Sequence, residues 1–506
     1  MHGSNGEKVA IVGGGLGGLA AACTLAARGH DVELFERNEW VGGKAAVMHS
    51  EGFRFDMGPT ILTLPSVLRT VFREADRDLE STLDLEELDP QWRCFFDDGS
   101  TFDLESEVNR TAAAMDDFSG HPDAGNRYRA FMAESEEMHE LTDDYFFWKS
   151  VGTFQDMIDS GLSASIGALS SLERMKIGRT VAGRVRHYLD DPRLAQMADH
   201  FTQYVGSSPF LAPAILCGIV HMQTDGGIWY PRGGIRAVPE ALAELAEDLG
   251  ISIHTDCPVT RIVTRDGAVR GIETGDGTRV ESDAVVCNAD CVRAHRELID
   301  DPAADAFLGR RDYEPACSGV VLYLGLNTRY GQLLHHNFVF SRDAEEEFHF
   351  IYERKRPAPD PTCYVCAPSR TDPDAAPDGC EALYVLAHVP ALEPHHDWNE
   401  IFPSYRDRIL KKLENTADLD GLEDEIAVER AFTPEDIKNT YSVLDGSIYG
   451  LASHGRFRGA IKPGNRSPDF NGLYLAGGSV HPGPGMPMAL MSGWIAADAL
   501  DDDRTG

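Results

Sequence analysis

The sequence predicts an α/β fold with a parallel sheet, joined by an α+β region and a helical region. Three observations support this: a strand–glycine turn–helix–strand unit at the N-terminus, short strands with Asp-Gly turns in the middle, and a glycine-ended strand near the C-terminus. With 506 residues the chain is long enough for several structural units. Its 42% hydrophobic and 25% charged residues are typical of a folded protein.

The N-terminal unit carries a glycine motif in the right structural context. Lys8–Val12 is predicted as a buried strand, and a helix is predicted over Leu19–Ala27. Between them stands G-x-G-x-x-G, formed by Gly13, Gly15 and Gly18. The first glycine permits a tight turn, the second lets the backbone approach a pyrophosphate, and the third lets helix and strand pack closely. The motif predicts a Rossmann-type dinucleotide site.

An acid stands where a ribose would be bound. The second strand, Asp31–Phe35, ends on Glu36, which we expect to accept hydrogen bonds from a ribose diol. Further glycine-containing segments follow shortly after it. They include Arg37, Gly43, Lys44, Gly58 and Pro59.

The middle of the chain reads as a β-meander. Strands are predicted at Val259–Thr264, Ala268–Thr274, Thr278–Glu281 and Ala284–Cys287, and two Asp-Gly turns separate the first three. The stretch before them predicts a helix and a further strand.

Near the C-terminus a strand over 473–476 ends on Gly477 and Gly478. A Pro/Gly-rich loop then leads to Gly485 and Met486, with a helix predicted over Ala489–Leu500. The free N–H groups of such a helix start can stabilise negative charge on a ligand.

Two sets of motifs point to a family. The sequence Glu36-Arg37, the turn Gly42-Gly43-Lys44 and Asp56-Met57-Gly58-Pro59 resemble the amine-oxidase-like flavoproteins. A second resemblance is to the bacterial-type phytoene desaturases and carotenoid desaturases. It rests on the run Gly227–Gly234 and on the terminal segment His481-Pro482-Gly483-Pro484-Gly485-Met486-Pro487. The matching motifs follow one another in the same order over essentially the whole chain.

The resemblance implies noncovalent FAD, with the glycines of both ends along its pyrophosphate and flavin and the backbone of Val259 at its adenine. It implies dehydrogenation of phytoene or a related linear carotenoid. The alternatives kept open are a later-acting 3,4-desaturase, isomerase or terminal oxygenase, an amine oxidase, and a flavin-free prenyl-binding escort protein. The pair Gly478-Ser479 replaces the acid usual in amine oxidases and argues against an amine substrate.

The resemblance also suggests a catalytic candidate. Asp156 lies in a segment, Phe154 to Met157, that is matched by the family, and it is expected either to handle charge or a proton, or to cap a helix. Asp159 stands where relatives carry a base. The substrate offers no polar handle, so tunnel shape is expected to set specificity.

Six segments are predicted. The FAD-binding domain is assigned to 1–75, 228–300 and 441–506, the substrate domain to 76–130 and 301–440, and a helical lid to 131–227. The lid carries apolar patches at Phe146–Trp148 and Phe210–Val220, interpreted either as core or as a surface that enters a bilayer.

Charge and composition restrict the partners. A formal net charge of -36 argues against nucleic-acid binding. Without an export signal or an apolar run long enough to span a bilayer, the chain is expected in the cytoplasm, in peripheral contact with the inner face of the cell membrane. Because no second dinucleotide unit follows, the electron acceptor is expected to be a quinone or oxygen. The scattered cysteines, including Cys363 and Cys366 on one predicted strand, predict no metal site.

Overall fold

Nineteen strands are found in the part of the chain described by the structure, a computed structural model covering residues 6–153, 156, 174–455 and 459–505. They are β1 (Lys8–Val12), β2 (Asp31–Phe35), β3 (Val47–Ser50), β4 (Phe53–Asp56), β5 (Leu85–Glu87), β6 (Trp92–Phe95), β7 (Thr101–Leu104), β8 (Trp229–Pro231), β9 (Ser252–His254), β10 (Val259–Arg265), β11 (Ala268–Thr274), β12 (Arg279–Glu281), β13 (Ala284–Cys287), β14 (Ser318–Leu326), β15 (His336–Val339), β16 (Cys363–Cys366), β17 (Glu381–Val389), β18 (Ile426–Phe432) and β19 (Leu473–Leu475).

The longer helices of the described residues alternate with these strands. They are α1 (Leu16–Ala27), α2 (Pro65–Glu74), α3 (Val108–Ser119), α4 (Ala124–Tyr145), α5 (Val181–Tyr188), α6 (Pro192–Asp199), α7 (Gly218–Gly226), α8 (Ala237–Asp248), α9 (Ala303–Gly309), α10 (Ala344–Tyr352), α11 (Trp398–Thr416), α12 (Pro434–Tyr441) and α13 (Met486–Thr505).

A five-stranded parallel sheet carries the N-terminal unit. Its order is β19-β13-β1-β2-β9, so strands from both ends and the middle of the chain lie side by side. Helix α1 packs against this sheet and against α13, and the apolar side chains of all three form one core cluster. The predicted βαβ unit is confirmed, and the carboxyl ends of β1, β13 and β19 meet at one edge.

The predicted meander needs a correction at its last strand. Strands β10, β11 and β12 form a three-stranded antiparallel sheet, as predicted. Strand β13 instead pairs in parallel with β1 and β19. All four residues of β13 are buried, because a parallel strand is covered on both faces. A short apolar run fits a strand of either sheet, so the sequence pattern does not show which strands β13 pairs with.

A seven-stranded mixed sheet forms the second unit, in the order β18-β14-β17-β16-β15-β6-β7. One face packs on α11 and the other faces the helices between α3 and α7, in two separate core clusters. The six-segment domain division remains a proposal that this strand order supports.

The structure decides between the two interpretations of the aromatic patch at Phe146–Trp148. Phe146 and Phe147 are buried in the core cluster of α1 and α13, and the Trp148 ring meets the Trp494 ring at 5.2 Å. Phe146 and Phe147 are therefore core residues that are not available for insertion into a bilayer, and the half-buried Trp148 packs against the same core. None of the described helices is long and apolar enough to cross a membrane. Phe154, Met157 and Asp159 lie outside the described residues.

Candidate functional site

A cavity of about 560 Å³ runs from the glycine turn after β1 to the inner face of the seven-stranded sheet. Most residues singled out from the sequence line it. They are Gly13, Gly15, Glu36, Arg37, Gly43, Lys44, Gly58, Pro59, Gly477, Gly478, Gly485 and Met486. Gly18, Val259 and Asp156 do not line it.

The glycine turn leaves backbone facing the cavity. Gly13 has a φ of +94°, which favours glycine, and Gly15 directly precedes the first residue of α1 with no side-chain cap on the helix. A β-carbon on Gly15 would lie 2.7 Å from Asn288 Nδ2, and one on Gly18 would lie 2.0 Å from the Gly13 carbonyl oxygen. Gly18 therefore serves helix–strand packing, while the bare helix N-terminus at Gly15 can receive a phosphate.

Glu36 is held at the end of β2 by backbone amides. Its carboxylate accepts hydrogen bonds from the N–H of Gly14 at 2.7 Å and of Asn38 at 2.9 Å. Burial raises the pKa of Glu36, and these two amides oppose the shift. Each carboxylate oxygen has a further lone pair, so the group can still accept from a ribose.

The second glycine-containing segment, which begins at Gly42, packs against the glycine turn after β1. The N–H of Gly42 donates to the Gly14 carbonyl at 2.7 Å, and a β-carbon on Gly58 would lie 2.1 Å from the Lys44 carbonyl oxygen. Lys44 Nζ donates to the Ile448 carbonyl at 2.7 Å. Burial lowers the pKa of Lys44 to about 8.

The C-terminal segment supplies a second helix start. Helix α13 begins at Met486, three residues before the predicted start, after Gly485 with a φ of +107°. Both residues line the cavity. The partial positive charge of this helix end therefore faces a bound ligand.

Asn288 is a site residue that sequence reasoning missed. It follows β13, and its Nδ2 donates to the Gly13 carbonyl at 3.2 Å. Its Oδ1 lies 2.6 Å from where a β-carbon on Gly477 would stand. The side chain thus joins the glycine segments of both chain ends, a role visible only after β13 is placed beside β1.

Two expected residues lie elsewhere. Asp156 Oδ2 accepts hydrogen bonds from the N–H of Gly152 at 2.8 Å and of Thr153 at 2.7 Å, as a capping acid does, and its catalytic role stays a prediction. Val259 begins β10 opposite Thr274, and its backbone contact with adenine stays a prediction.

The far end of the cavity is an apolar chamber. Its walls are side chains of the seven-stranded sheet and of the segments around α7, among them Phe338, Tyr364, Leu386, Ile215 and Ile219. The acidic side chains among the described lining residues, Glu36 and Asp290, belong to the glycine end.

Several buried polar groups interrupt this chamber and were not singled out from the sequence. Burial lowers the pKa of His388 to about 4 and that of His200 well below its usual range, so both rings are neutral. At the glycine end of the cavity, Lys462 lies beside Gly483 of the C-terminal loop; burial lowers its pKa to about 7, and its Nζ donates to the Leu451 carbonyl at 2.5 Å.

The residues present fit FAD. Two helix starts at the cavity, a buried acid at the end of β2 and glycines that line the cavity are what a dinucleotide with a pyrophosphate requires. The fold and this site define a flavin-dependent oxidoreductase that binds FAD.

Comparison with known proteins identifies the family. Residues 16–501 match the sequence profile of the flavin containing amine oxidoreductases. The chain is 36% identical over 505 residues to 4,4'-diapolycopene oxygenase of Methylomonas sp, covering 99% of this chain and 100% of the relative. It is 35% identical over 498 residues to the zeta-carotene-forming phytoene desaturase of Myxococcus xanthus, covering 98% and 94%. The chain belongs to the flavin containing amine oxidoreductase family.

The solved structures agree on the fold. An oxidoreductase from Methanosarcina mazei superposes with a TM-score of 0.61 at 18% identity, covering 98% of this chain and 100% of that chain.

Proposed function

We propose that the protein uses FAD to desaturate a linear carotenoid such as phytoene. The main support is the apolar chamber, which is continuous with the cofactor cradle. Among the described residues that line the cavity, the acidic side chains all lie at the cradle and none lies in the chamber. An ammonium group bound there would lack a counter-charge, which disfavours an amine substrate. The names of the carotenoid-modifying relatives support the same substrate class.

The protein's own residues would position the substrate and exclude water. Bound flavin supplies the hydride acceptor for a CH₂ group beside a double bond, while the adjacent carbon loses a proton. The N-terminus of α13 at Met486 stabilises negative charge, and the chamber walls fix which carbons approach. A catalytic role for Asp156 is not needed, in line with its capping hydrogen bonds. We propose a quinone or oxygen as the final electron acceptor.

Terminal-carbon oxygenation is the second candidate. Two relatives are named as oxygenases of linear carotenoids. The chamber also holds neutral polar groups, and His388 Nε2 lies 3.4 Å from the Tyr449 hydroxyl. Such groups can bind a polar end that a pure hydrocarbon lacks.

Peripheral membrane contact is proposed at a different place from the aromatic patch. Among the described residues, Ile177 and Leu211 are the large apolar side chains with substantial exposure, 41% and 38%. Their segments are joined by backbone hydrogen bonds, and Ile177 lines the cavity. An apolar substrate could therefore pass from a bilayer into the chamber there. The inner face of the cell membrane remains the proposed location.

Expression in bacteria that accumulate phytoene tests the proposal. We expect coloured products that have lost hydrogen in pairs. A second strain, which accumulates a fully desaturated linear carotenoid, tests oxygenation, with aldehyde products expected if the second candidate holds. Unchanged pigments in both strains, together with flavin-dependent oxidation of amines, would contradict both candidates.

A further inference from the structure

Three potential metal ligands from two separate parts of the sequence meet behind the chamber wall. Nitrogen atoms of His335 and His336 and the sulfur of Cys366 lie within 4.8 Å of one another. All three residues are buried, with exposures of 7%, 1% and 2%. Imidazole and thiolate ligands together suit zinc-like transition metals.

The backbone fixes this arrangement. Strands β15 and β16 pair antiparallel with His336 directly opposite Cys366, which places both side chains on one face. The carbonyl of His335 accepts a hydrogen bond from the N–H of Ala367 at 2.8 Å, so the preceding residue is held at the same strand ends.

Each of the two rings is held by a hydrogen bond at its Nδ1. His335 Nδ1 is 2.7 Å from the Thr371 hydroxyl, and His336 Nδ1 is 2.8 Å from the Tyr364 hydroxyl. The Nε2 atoms of both rings are buried and have no hydrogen-bond partner. In metal sites a histidine commonly uses one ring nitrogen for the metal and the other for such an orienting partner. Two buried imidazoles with an unused nitrogen each are costly without a ligand.

We propose that His335, His336 and Cys366 bind one Zn²⁺ ion that joins β15 and β16 behind the chamber wall. Cys366 gives its thiol proton to solvent on binding, so its thiolate cancels one of the two positive charges. A tetrahedral ion would have one position left for a water or a neighbouring hydroxyl. Tyr364 links the site to the chamber, since it lines the cavity and contacts His336. The proposal is independent of the substrate.

The sequence argument against a metal considered only the spacing of the two cysteines. That argument holds for Cys363, which packs in the core cluster on the opposite face of the sheet, beside α11. Cys366 packs on the chamber side. Its partners come from about thirty residues earlier in the chain, a distance that the strand pairing bridges.

Metal analysis of the flavin-loaded protein, purified without a histidine tag, tests the site. We expect about one zinc per chain, and metal-depleted protein should bind Co²⁺ with thiolate-type visible absorption at wavelengths beyond the flavin bands. Cys366→Ser and His335→Gln should each weaken Zn²⁺ binding more than about 100-fold, and Tyr364→Phe about 10- to 100-fold. Cys363→Ser is the matched control and should keep the metal.

Two results would overturn the proposal. One is the absence of zinc in the purified protein together with failure to bind Zn²⁺ or Co²⁺ at micromolar concentration. The other is a folded, flavin-loaded Cys366→Ser that holds as much metal as Cys363→Ser. If Cys366→Ser does not fold, the same two criteria are applied to the titration of wild-type protein with Zn²⁺ or Co²⁺ and to the metal content of His335→Gln.

Discussion

At the scale of single residues, Glu36 shows how one buried acid serves both fold and ligand. Its carboxylate caps the Gly14 turn and also lines the cavity. Glu36→Ala should weaken FAD binding by about 1.5–3 kcal/mol, because hydrogen bonds to a charged acceptor are lost. Fluorescence titration of flavin-depleted protein measures this. Glu39→Ala, an exposed acid three residues on, is the control. Equal affinity in both variants would contradict the ribose role.

Lys462 predicts a pH dependence of stability. Because burial lowers its folded-state pKa to about 7, the unfolded chain binds more protons between about pH 7 and its ordinary pKa of 10.5. Stability contributed by this group therefore rises with pH across that window. As the pH rises through this window, the unfolding free energy of wild type should rise by about 3–5 kcal/mol relative to that of Lys462→Met. Urea unfolding across this pH range measures it, and a pH-independent difference would count against the buried amine.

The sequence predicts the role of a residue where the local backbone alone requires that residue type. The sequence indicates Gly13 because a tight turn requires glycine, and Gly485 because it stands where a helix begins; both have positive φ. It does not indicate Asn288 and Lys462, because their positions at the cavity depend on strands and loops from distant parts of the chain.

At the scale of elements, α1 and α13 cross with their backbones in contact. A β-carbon on Gly493 would lie 2.1 Å from the Gly17 carbonyl oxygen. Gly493→Ala must therefore move α13 away from the glycine turn, at a cost of about 1–3 kcal/mol. We expect a lower melting temperature and less bound FAD per chain. Gly309→Ala, where a β-carbon would meet open space, should change neither. A full complement of FAD and an unchanged melting temperature in Gly493→Ala would show that the crossing tolerates the methyl group.

Element boundaries also show where local patterns suffice. Helix α1 was predicted over Leu19–Ala27 and begins at Leu16, because the glycines after the turn are themselves helical. Strand β13 was assigned to the wrong sheet, since its four apolar residues fit either neighbour.

At the scale of the whole molecule, charge and exposed apolar surface act in opposite directions on a membrane. The net charge of -36 repels anionic lipid, while Ile177 and Leu211 expose apolar area, Ile177 at the cavity. Binding to liposomes should persist or strengthen as salt rises, because screening weakens only the repulsion.

The double change Ile177→Ser and Leu211→Ser should lower this binding and leave the melting temperature nearly unchanged. Phe147→Ser should do the reverse, lowering the melting temperature by removing buried aromatic area. Sedimentation with liposomes and thermal unfolding of both variants measure the two effects. Undiminished sedimentation of the double variant would reject this surface.

The sequence by itself determined FAD as the cofactor and, through the resemblance of its motifs, the family, and it predicted the glycine segments of the site, because glycine turns, strand ends and helix starts are local features. It also determined the order of the segments that build the cradle. Only the tertiary structure decided that Phe147 is core, that β13 lies beside β1, and that Cys366 meets two histidines. These depend on which distant segments pack together, and burial and pairing across such distances leave no pattern in neighbouring residues.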